Sequence, residues 1–398
     1  MSTHEQEAAV GERLRLVVGA PAHGGHCIAR HEGRAVFVRH ALPGEEVMAV
    51  VTEGAPSDRF WRADAVEVLE ASPDRVPSAW PEAGPGGVGG GELAHVALPA
   101  QREWKLAVLR EAFERFAKRD FPGLVNAAPD DDERGGLAYR TRVTAVAGDD
   151  GRATMRVHRS WEARTLERMP LALAEAERAL LEARIEPGVR FTVAAGGGDA
   201  VVAPETSAAP SIRETVTTPA GELEFEVRAD GFWQVHREAP ALLAREVTSR
   251  IGAAPRVLDL YAGAGLFGLA LSLAGADVTL VEFDRRAASD AASTAKRHGL
   301  SARVLAGDVR RTLRSPSLDF TPDAVVLDPP RSGAGAATVA AIAEHVPERI
   351  VYVACDPVAL ARDAALLAER GWDMTEAEAF DLFPMTHHVE TIATFEPR

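Results

Sequence analysis

The chain has 398 residues, 46% of them hydrophobic and 26% charged, which is typical of a globular protein with two or three domains. Residues 1–13 are polar and acidic and contain no apolar stretch as long as a signal peptide or a membrane span, so we expect a cytoplasmic protein without a membrane partner. Two cysteines far apart argue against a disulfide framework and exclude an all-cysteine metal cluster. The net charge of −15 argues against a nucleic-acid partner, although it does not describe one local groove.

Short alternating runs separated by glycine-bearing turns fill residues 14–69. Several brief strands at this spacing predict a small β-barrel, which we place in residues 1–76. The predicted strands are residues 14–18, 33–38, 46–51 and 62–68. Proline and glycine are then frequent up to Pro99 and indicate a linker or an irregular loop layer.

Residues 77–229 mix helical and strand patterns and are predicted to form a central α+β region. Apolar residues recur at three- and four-residue steps over 101–118, which predicts an amphipathic helix that we expect to pack on the C-terminal domain. A second helix is predicted over 170–183, and Gly196–Gly198 indicates a loop.

Strands and helices alternate regularly from about Glu238, so residues 230–398 are predicted to form an α/β domain with a doubly wound parallel sheet. The strand at 256–260 runs into a turn with Gly263 and Gly265, and a helix begins at Leu266. Glycine lets the backbone turn sharply and approach a ligand, and the helix N-terminus offers free amides. We therefore expect a cofactor at this turn.

Two acids end the next two strands at positions suited to a nucleoside. Glu282 follows the second strand, where an acid binds ribose hydroxyls, and Asp308 follows the third, where it could accept from an adenine amine. The turn lacks the third glycine of the dinucleotide fingerprint. The pattern predicts S-adenosyl-L-methionine rather than NAD.

Reactive groups are predicted at the ends of two later strands. One strand runs into Asp328-Pro329-Pro330-Arg331, and another ends at Cys355. Methyltransferases that act on exocyclic amines usually carry an aromatic residue after such a Pro-Pro, so Arg331 favours methylation at carbon. A carbon target needs activation, and a cysteine at the carboxyl end of a parallel strand is placed to supply it as a nucleophile.

Several motifs share their order and spacing with one enzyme family. They are Phe232–Val235, Asp259–Gly265, Asp328–Arg331, Ala354–Pro357, Leu360–Asp363 and Phe383–Glu390. Through these motifs the chain resembles the RNA uracil-5 methyltransferases, which use S-adenosyl-L-methionine to make 5-methyluridine in tRNA and 23S rRNA. The N-terminal strands resemble the TRAM domain that many members carry. The resemblance implies a class I, Rossmann-like methyltransferase domain, a structured rRNA or tRNA substrate, and no protein partner.

The resemblance also implies a covalent mechanism. Carbon 5 of uracil is a weak nucleophile until a thiolate adds to carbon 6, and a base must later remove the proton from carbon 5. By resemblance, Cys355 is the nucleophile and Glu390 the base, while Gln234 and Asp328 hold the uracil edge and the cofactor. Tyr261, Gly263, Gly265, Glu282 and Asp308 then line the cofactor pocket. We further expect the helix after Pro357, or Arg331, to lower the pKa of the thiol.

The chain departs from the family in its missing cluster cysteines and in its acidic, lysine-poor charge balance. Many members bind an iron-sulfur cluster through four cysteines, but the equivalent stretches here, near Trp80, Val88–Gly91 and Met169, contain none, so no cluster is expected. His387 and His388 lack a suitably spaced third ligand, and no metal site is predicted. Lysine is nearly missing, which leaves phosphate binding to arginines. The candidates are Arg30, Arg34, Arg39, Arg140, Arg142, Arg156, Arg159 and Arg164.

Three alternatives remain open from the sequence. A cytosine-5 methyltransferase would use the same cysteine adduct. An RNA-binding or RNA-folding protein could retain the fold with little turnover. A small-molecule carbon methyltransferase would fit the acidic surface but would leave the barrel unexplained.

Overall fold

The computed structural model describes residues 10–316, 318 and 320–398, and the chain divides into two compact units. The first contains the chain up to Val108 together with Thr154–Pro170 and Phe383–His388, and the second contains Leu109–Ala153, Leu171–Leu382 and Val389–Arg398. Both units therefore draw on residues 77–229, and the division at residues 76 and 229 stays a prediction about sequence segments. No helix in the described part of the chain is long and apolar enough to span a membrane.

A closed five-stranded barrel in the first unit confirms the predicted N-terminal fold. Its strands follow the order β1-β2-β3-β5-β4, with β3 and β5 parallel and the other described pairs antiparallel. The strands are β1 (Arg13–Ala22), β2 (His26–His31), β3 (Arg34–Arg39), β4 (Glu46–Glu53) and β5 (Phe60–Glu70). Alternate side chains such as Leu14, Leu16 and Val18 fill the barrel, as the two-residue period of a strand requires. Strand β2 is not among the four predicted strands, because histidines at both of its ends interrupt the apolar run.

The middle of the chain contains short strands and two helices. They are α1 (Leu98–Ala112), β6 (Val125–Ala127), β7 (Arg142–Ala147), β8 (Ala153–Arg156), β9 (Ala163–Thr165), α2 (Ala174–Glu182), β10 (Arg190–Gly196), β11 (Asp199–Pro204), β12 (Ser211–Thr218) and β13 (Gly221–Arg228). A π-helical turn, Phe113–Ala117, continues α1. In the second unit this turn packs on the C-terminal domain, where the Arg362 guanidinium lies 4.8 Å from the Phe116 ring centre.

A doubly wound sheet in the second unit confirms the predicted α/β class. Its order is β16-β15-β14-β17-β18-β20-β19-β6; the strands from β16 to β18 are parallel, and β20 is antiparallel to both of its neighbours. Its elements are α3 (Ala239–Ile251), β14 (Arg256–Leu260), α4 (Leu266–Leu273), β15 (Asp277–Glu282), α5 (Arg285–Arg297), β16 (Ala302–Ala306), α6 (Val309–Leu313), β17 (Ala324–Leu327), α7 (Gly335–Glu344), β18 (Arg349–Ala354), α8 (Pro357–Ala368), β19 (Trp372–Asp381) and β20 (Glu390–Pro397). The winding reverses between β14 and β17, where open α/β sheets bind ligands at the carboxyl ends of their strands.

Candidate active site

The turn between β14 and α4 forms one side of the candidate site. Gly263 has a φ of 56°, and a Cβ built there would meet no atom within 4 Å. The backbone N–H of Gly263 donates to Oε2 of Glu282 over 2.8 Å. The left-handed backbone favours glycine at this position, and the open space beside it lets a ligand approach the main chain. The loop thus suits a nucleoside cofactor, as the sequence predicts.

Glu282 ends β15 beside this loop. Besides the Gly263 amide, its carboxylate accepts the backbone N–H of Asp284 over 2.6 Å. Each carboxylate oxygen has two lone pairs, so both oxygens can still accept from ribose hydroxyls. The geometry is therefore compatible with the predicted ribose contact.

A cavity of about 880 Å³ opens beyond Glu282 at the carboxyl ends of β15 and β16. Phe283 and Asp308 line it, and the Phe283 ring is 75% exposed. Asp308 also caps α6 by accepting the backbone N–H of Arg311 over 2.9 Å. An exposed ring beside a carboxylate fits an adenine base. The sequence analysis missed Phe283, although an apolar residue directly after the ribose acid was the available signal.

Asp259 fixes the start of α4 behind the loop. Its Oδ2 accepts the backbone N–H of Gly268 over 2.8 Å, and burial raises the pKa of the carboxyl to about 8. Its buried Oδ1 has no hydrogen-bond partner in the part of the chain that the structure describes. An unpaired buried acceptor is costly, and Oδ1 of Asp259 is an acceptor of this kind next to the turn between β14 and α4.

The remaining predicted cofactor residues are placed differently. Tyr261 adopts a φ of 60°, and its hydroxyl bonds to Thr338 in α7. Its contact with a cofactor would thus come from the ring or the backbone. Gln234 is almost fully buried, and Gly265 begins α4 in the left-handed conformation. The roles of these three residues stay predictions.

Cys355 and Glu390 are brought together by the antiparallel strand β20. Ala354 pairs with Thr391 in the β18–β20 register, so the next residue pair along the two strands is Cys355 and Glu390. Asp328 follows β17, the other neighbour of β18, and its backbone N–H donates to Leu260 over 3.3 Å. The three groups therefore share one edge of the sheet, next to the turn after β14.

Burial, together with nearby negative charges, raises the pKa values in the cluster formed by Cys355, Asp328 and Glu390. Burial, and then the charges of Glu390 and Asp328, raise the pKa of the Cys355 thiol to about 12. Burial raises the pKa of Asp328 to about 7. Burial and the charge of Asp328 raise the pKa of Glu390, which is 3% exposed, well above its usual range. At neutral pH the free protein thus carries a thiol rather than a thiolate.

The expectation that the site lowers the pKa of the thiol is wrong for the free protein. Arg331 lowers the pKa as expected, but burial and the nearby acids outweigh it. The N-terminus of α8 does not supply the missing charge, because Asp356 caps it by accepting the backbone N–H of Ala359 over 2.8 Å and itself raises the thiol pKa.

A buried carboxylate that the sequence analysis did not single out anchors the loop after Arg331. Asp363 in α8 accepts the backbone N–H of Ala334 over 2.7 Å and the Tyr352 hydroxyl over 2.7 Å. Tyr352 lies in β18, three residues before Cys355. Asp363 therefore ties the Pro-Pro loop to the strand and helix on either side of Cys355. Its place in the Leu360–Asp363 motif was the available signal.

The positions where the resemblance would put cluster cysteines are packed with other side chains. Trp80, Val88 and Met169 are buried, and a Cβ at Gly91 would lie 2.9 Å from the Trp80 ring. In the described residues no three histidine, cysteine or acidic side chains are grouped as metal ligands. The residues present do not fit an iron-sulfur cluster, because the indole fills the space and no thiolate lies there.

For two of the eight candidate arginines, the predicted contact with RNA is wrong. Arg39 and Arg142 are 5% and 6% exposed, and Arg142 pairs with Glu214 over 3.0 Å. A buried guanidinium cannot reach a phosphate in solution. Arg30, Arg156, Arg159 and Arg164 are exposed, and Arg34 and Arg140 are partly exposed.

Comparison with known proteins identifies the family. The tRNA (uracil-5-)-methyltransferase family model matches residues 308–396, and the TRAM domain model matches residues 7–66. The chain is 40% identical over 411 residues to an uncharacterised RNA methyltransferase of Bifidobacterium longum, covering 93% of this chain and 94% of the relative. It is 30% identical over 434 residues to the 23S rRNA (uracil(1939)-C(5))-methyltransferase RlmD of an Azoarcus species, covering 96% and 99%. The chain belongs to the RNA (uracil-5-)-methyltransferase family.

A solved structure supports the fold assignment for the whole chain. The tRNA (uracil-54, C5)-methyltransferase of Pyrococcus abyssi, in complex with S-adenosyl-L-homocysteine, matches with a TM-score of 0.72. The match covers 96% of this chain and 100% of that one, at 20% identity. The fold is therefore that of an RNA uracil-5 methyltransferase with an N-terminal barrel.

Proposed function

We propose that this protein methylates carbon 5 of a uridine in structured rRNA or tRNA through a covalent bond between Cys355 and carbon 6. The observation that carries the proposal is the register of β18 and β20, which sets Cys355 opposite the buried carboxyl of Glu390. A nucleophile and a base at one strand edge are what addition and elimination at a pyrimidine require. The target uridine leaves its stack to reach them.

The cofactor supplies an electrophilic methyl group and a positive charge. Gly263 and Gly265 would bind it through the loop backbone, Glu282 through the ribose, and Phe283 and Asp308 through the adenine. These residues fit because the loop is open at Gly263 and an exposed ring and a carboxylate line the adjoining cavity.

The protein's own groups then move two protons. Cys355 gives its proton to a carboxylate as its sulfur bonds carbon 6, and Asp328, with a pKa of about 7, is ionised in part at neutral pH and suits this role. Glu390, which holds a proton in the free protein, first releases it to solvent, and after methyl transfer its carboxylate removes the proton from carbon 5. The bond between Sγ and carbon 6 breaks, and the thiolate leaves. Burial makes Glu390 a stronger base than an exposed glutamate.

The proposal is tested with labelled S-adenosyl-L-methionine, separate rRNA and tRNA fractions, and mass spectrometry of the nucleosides. We expect 5-methyluridine with the wild type, none with Cys355→Ala, and with Glu390→Gln an RNA adduct that survives a denaturing gel. Full activity of the alanine variant would refute the covalent mechanism, and 5-methylcytidine would indicate the cytosine alternative.

A further inference from the structure

Trp161 is the exposed tryptophan of this protein. Its side chain is 86% exposed, whereas the other five tryptophans, all in the described residues, are at most 5% exposed. It lies in the loop of the β8–β9 hairpin, which belongs to the first unit apart from Ala153. An indole this exposed presents a large apolar face to solvent, where a partner can cover it.

Contacts that do not involve the exposed Trp161 ring hold the hairpin loop in place. Within it, the backbone N–H of Val157 donates to Glu162 over 2.9 Å, and that of Ser160 donates to Val157 over 3.0 Å. Val157 also forms a bridge with Val88, and Arg159 donates to Oε2 of Glu53 in the barrel over 2.5 Å. These contacts fix the loop within the first unit. The indole is therefore presented in one place, which reduces the entropy cost of binding.

One face of the ring already carries a cation. The Arg156 guanidinium lies 4.6 Å from the centre of the Trp161 ring, and Arg156 has no carboxylate partner in the described part of the chain. Residues 154–170 contain four arginines and two glutamates, in a protein with a net charge of −15. An aromatic ring with a stacked arginine in a locally basic segment is typical of single-stranded nucleic-acid binding, where bases stack and phosphates bind the cations.

We propose that Trp161 is a stacking platform for an unpaired base of the RNA substrate, with Arg156 binding a neighbouring phosphate. The inference rests on the proposed function, in that the partner is the RNA that the enzyme methylates. It favours RNA over a protein partner because the cation beside the open ring complements a phosphate backbone.

The first test uses the fluorescence of Trp161 itself. Acrylamide should quench the exposed indole far more than the five buried ones, and Trp161→Phe should remove that quenchable emission. A single-stranded oligouridylate of about 12 nucleotides should protect Trp161 from quenching, whereas a blunt RNA duplex of equal length should protect it much less. Equal quenching with and without bound oligouridylate would overturn the proposal.

The second test measures affinity. Trp161→Ala should weaken oligouridylate binding between about fivefold and a hundredfold, while Trp161→Phe should retain most of the affinity. Arg156→Gln should weaken binding and lower the salt dependence by the loss of about one phosphate contact. Leu124→Ala, which removes an apolar side chain 61% exposed in the second unit, is the matched control and should change nothing.

The two proposals fail in different ways. Wild-type enzyme that makes no 5-methyluridine refutes the proposed function. Normal methylation with an unchanged KM for rRNA and tRNA in Trp161→Ala refutes the stacking platform alone. A change in the oligomeric state of Trp161→Ala, measured by light scattering, together with unchanged RNA affinity, would assign the ring to a protein contact and also overturn the proposal.

Discussion

The Cys355 thiol shares a buried edge of the sheet with the carboxyl groups of Asp328 and Glu390. Burial raises the pKa of all three groups, and neighbouring negative charges raise the pKa values of Cys355 and Glu390 further. Arg331 acts in the opposite direction on the thiol. A thiol that is protonated in the free protein is protected from adventitious alkylation and oxidation until the charge of its surroundings changes.

Thiol reactivity therefore depends on the charges around Cys355. With a pKa of about 12, the thiol should react slowly with iodoacetamide at neutral pH, and its rate should rise about tenfold per pH unit below that pKa. Glu390→Gln removes a like charge and should lower the thiol pKa, whereas Arg331→Gln removes an opposite charge and should raise it. The difference between the alkylation rates of the two variants should be largest at alkaline pH, where the Glu390 side chain is ionised.

Alkylation rates followed by intact mass across the pH range check this prediction. Cys355→Ala provides the background, because Cys27 is fully buried and its pKa is also raised to about 12. A thiol pKa near 8.5, or shifts of the same sign in the two variants, would contradict it.

At the scale of elements, the contact between β14 and α4 shapes the cofactor loop. Gly268 brings α4 so close to the sheet that an added Cβ would lie 2.7 Å from Oδ2 of Asp259 and 2.8 Å from Cγ of Leu280. Both distances are shorter than packed carbon atoms allow. The helix N-terminus therefore stays at the loop only while residue 268 lacks a side chain.

Gly268→Ala should thus displace α4 and destabilise the protein, by about 1 to 3 kcal/mol if it resembles other overpacked cores. It should also weaken binding of S-adenosyl-L-homocysteine, because the Asp259 to Gly268 hydrogen bond orients the loop. Urea unfolding and calorimetric titration measure the two effects. Gly89→Ala is the control, since its added Cβ would meet only the His158 ring at 3.9 Å, an ordinary contact. Equal free energies of unfolding for the two variants would show that α4 shifts to accommodate the added methyl group without loss of stability.

At the scale of the whole molecule, an acidic protein binds a polyanion. The net charge is −15, and only three of the 44 basic residues are lysines. Long-range repulsion therefore weakens RNA binding, whereas short-range contacts between arginines and phosphates strengthen it. Salt screens the repulsion over a Debye length of about 10 Å at 0.1 M, and it also weakens each phosphate contact.

The association rate with RNA should consequently rise with salt up to about 0.1 M, whereas the dissociation rate should rise throughout. Stopped-flow anisotropy with labelled tRNA measures both rates. Oligouridylate, which carries fewer charges, is the control and should show a smaller rise in the association rate. An association rate that falls steadily from the lowest salt would mean that the arginine surface, rather than the net charge, controls encounter.

The sequence by itself determined the elements whose signals are local. Alternation of apolar residues predicted most of the barrel strands, and the glycines before Leu266 predicted the tight turn between β14 and α4, because side-chain period and backbone freedom are properties of neighbouring residues. The motifs around Cys355 likewise predicted its place after a strand, and β18 ends one residue before it. Its role as nucleophile stays a prediction.

The tertiary structure decided what depends on residues far apart in the chain. Cys355 and Glu390 face each other because β20 pairs antiparallel with β18, and this pairing cannot be predicted from either segment alone. The raised pKa of the thiol, the burial of Arg39 and Arg142, and the exposure of Trp161 follow from packing between distant segments. Burial and electrostatic environment are sums over spatial neighbours, and only folding brings those neighbours together.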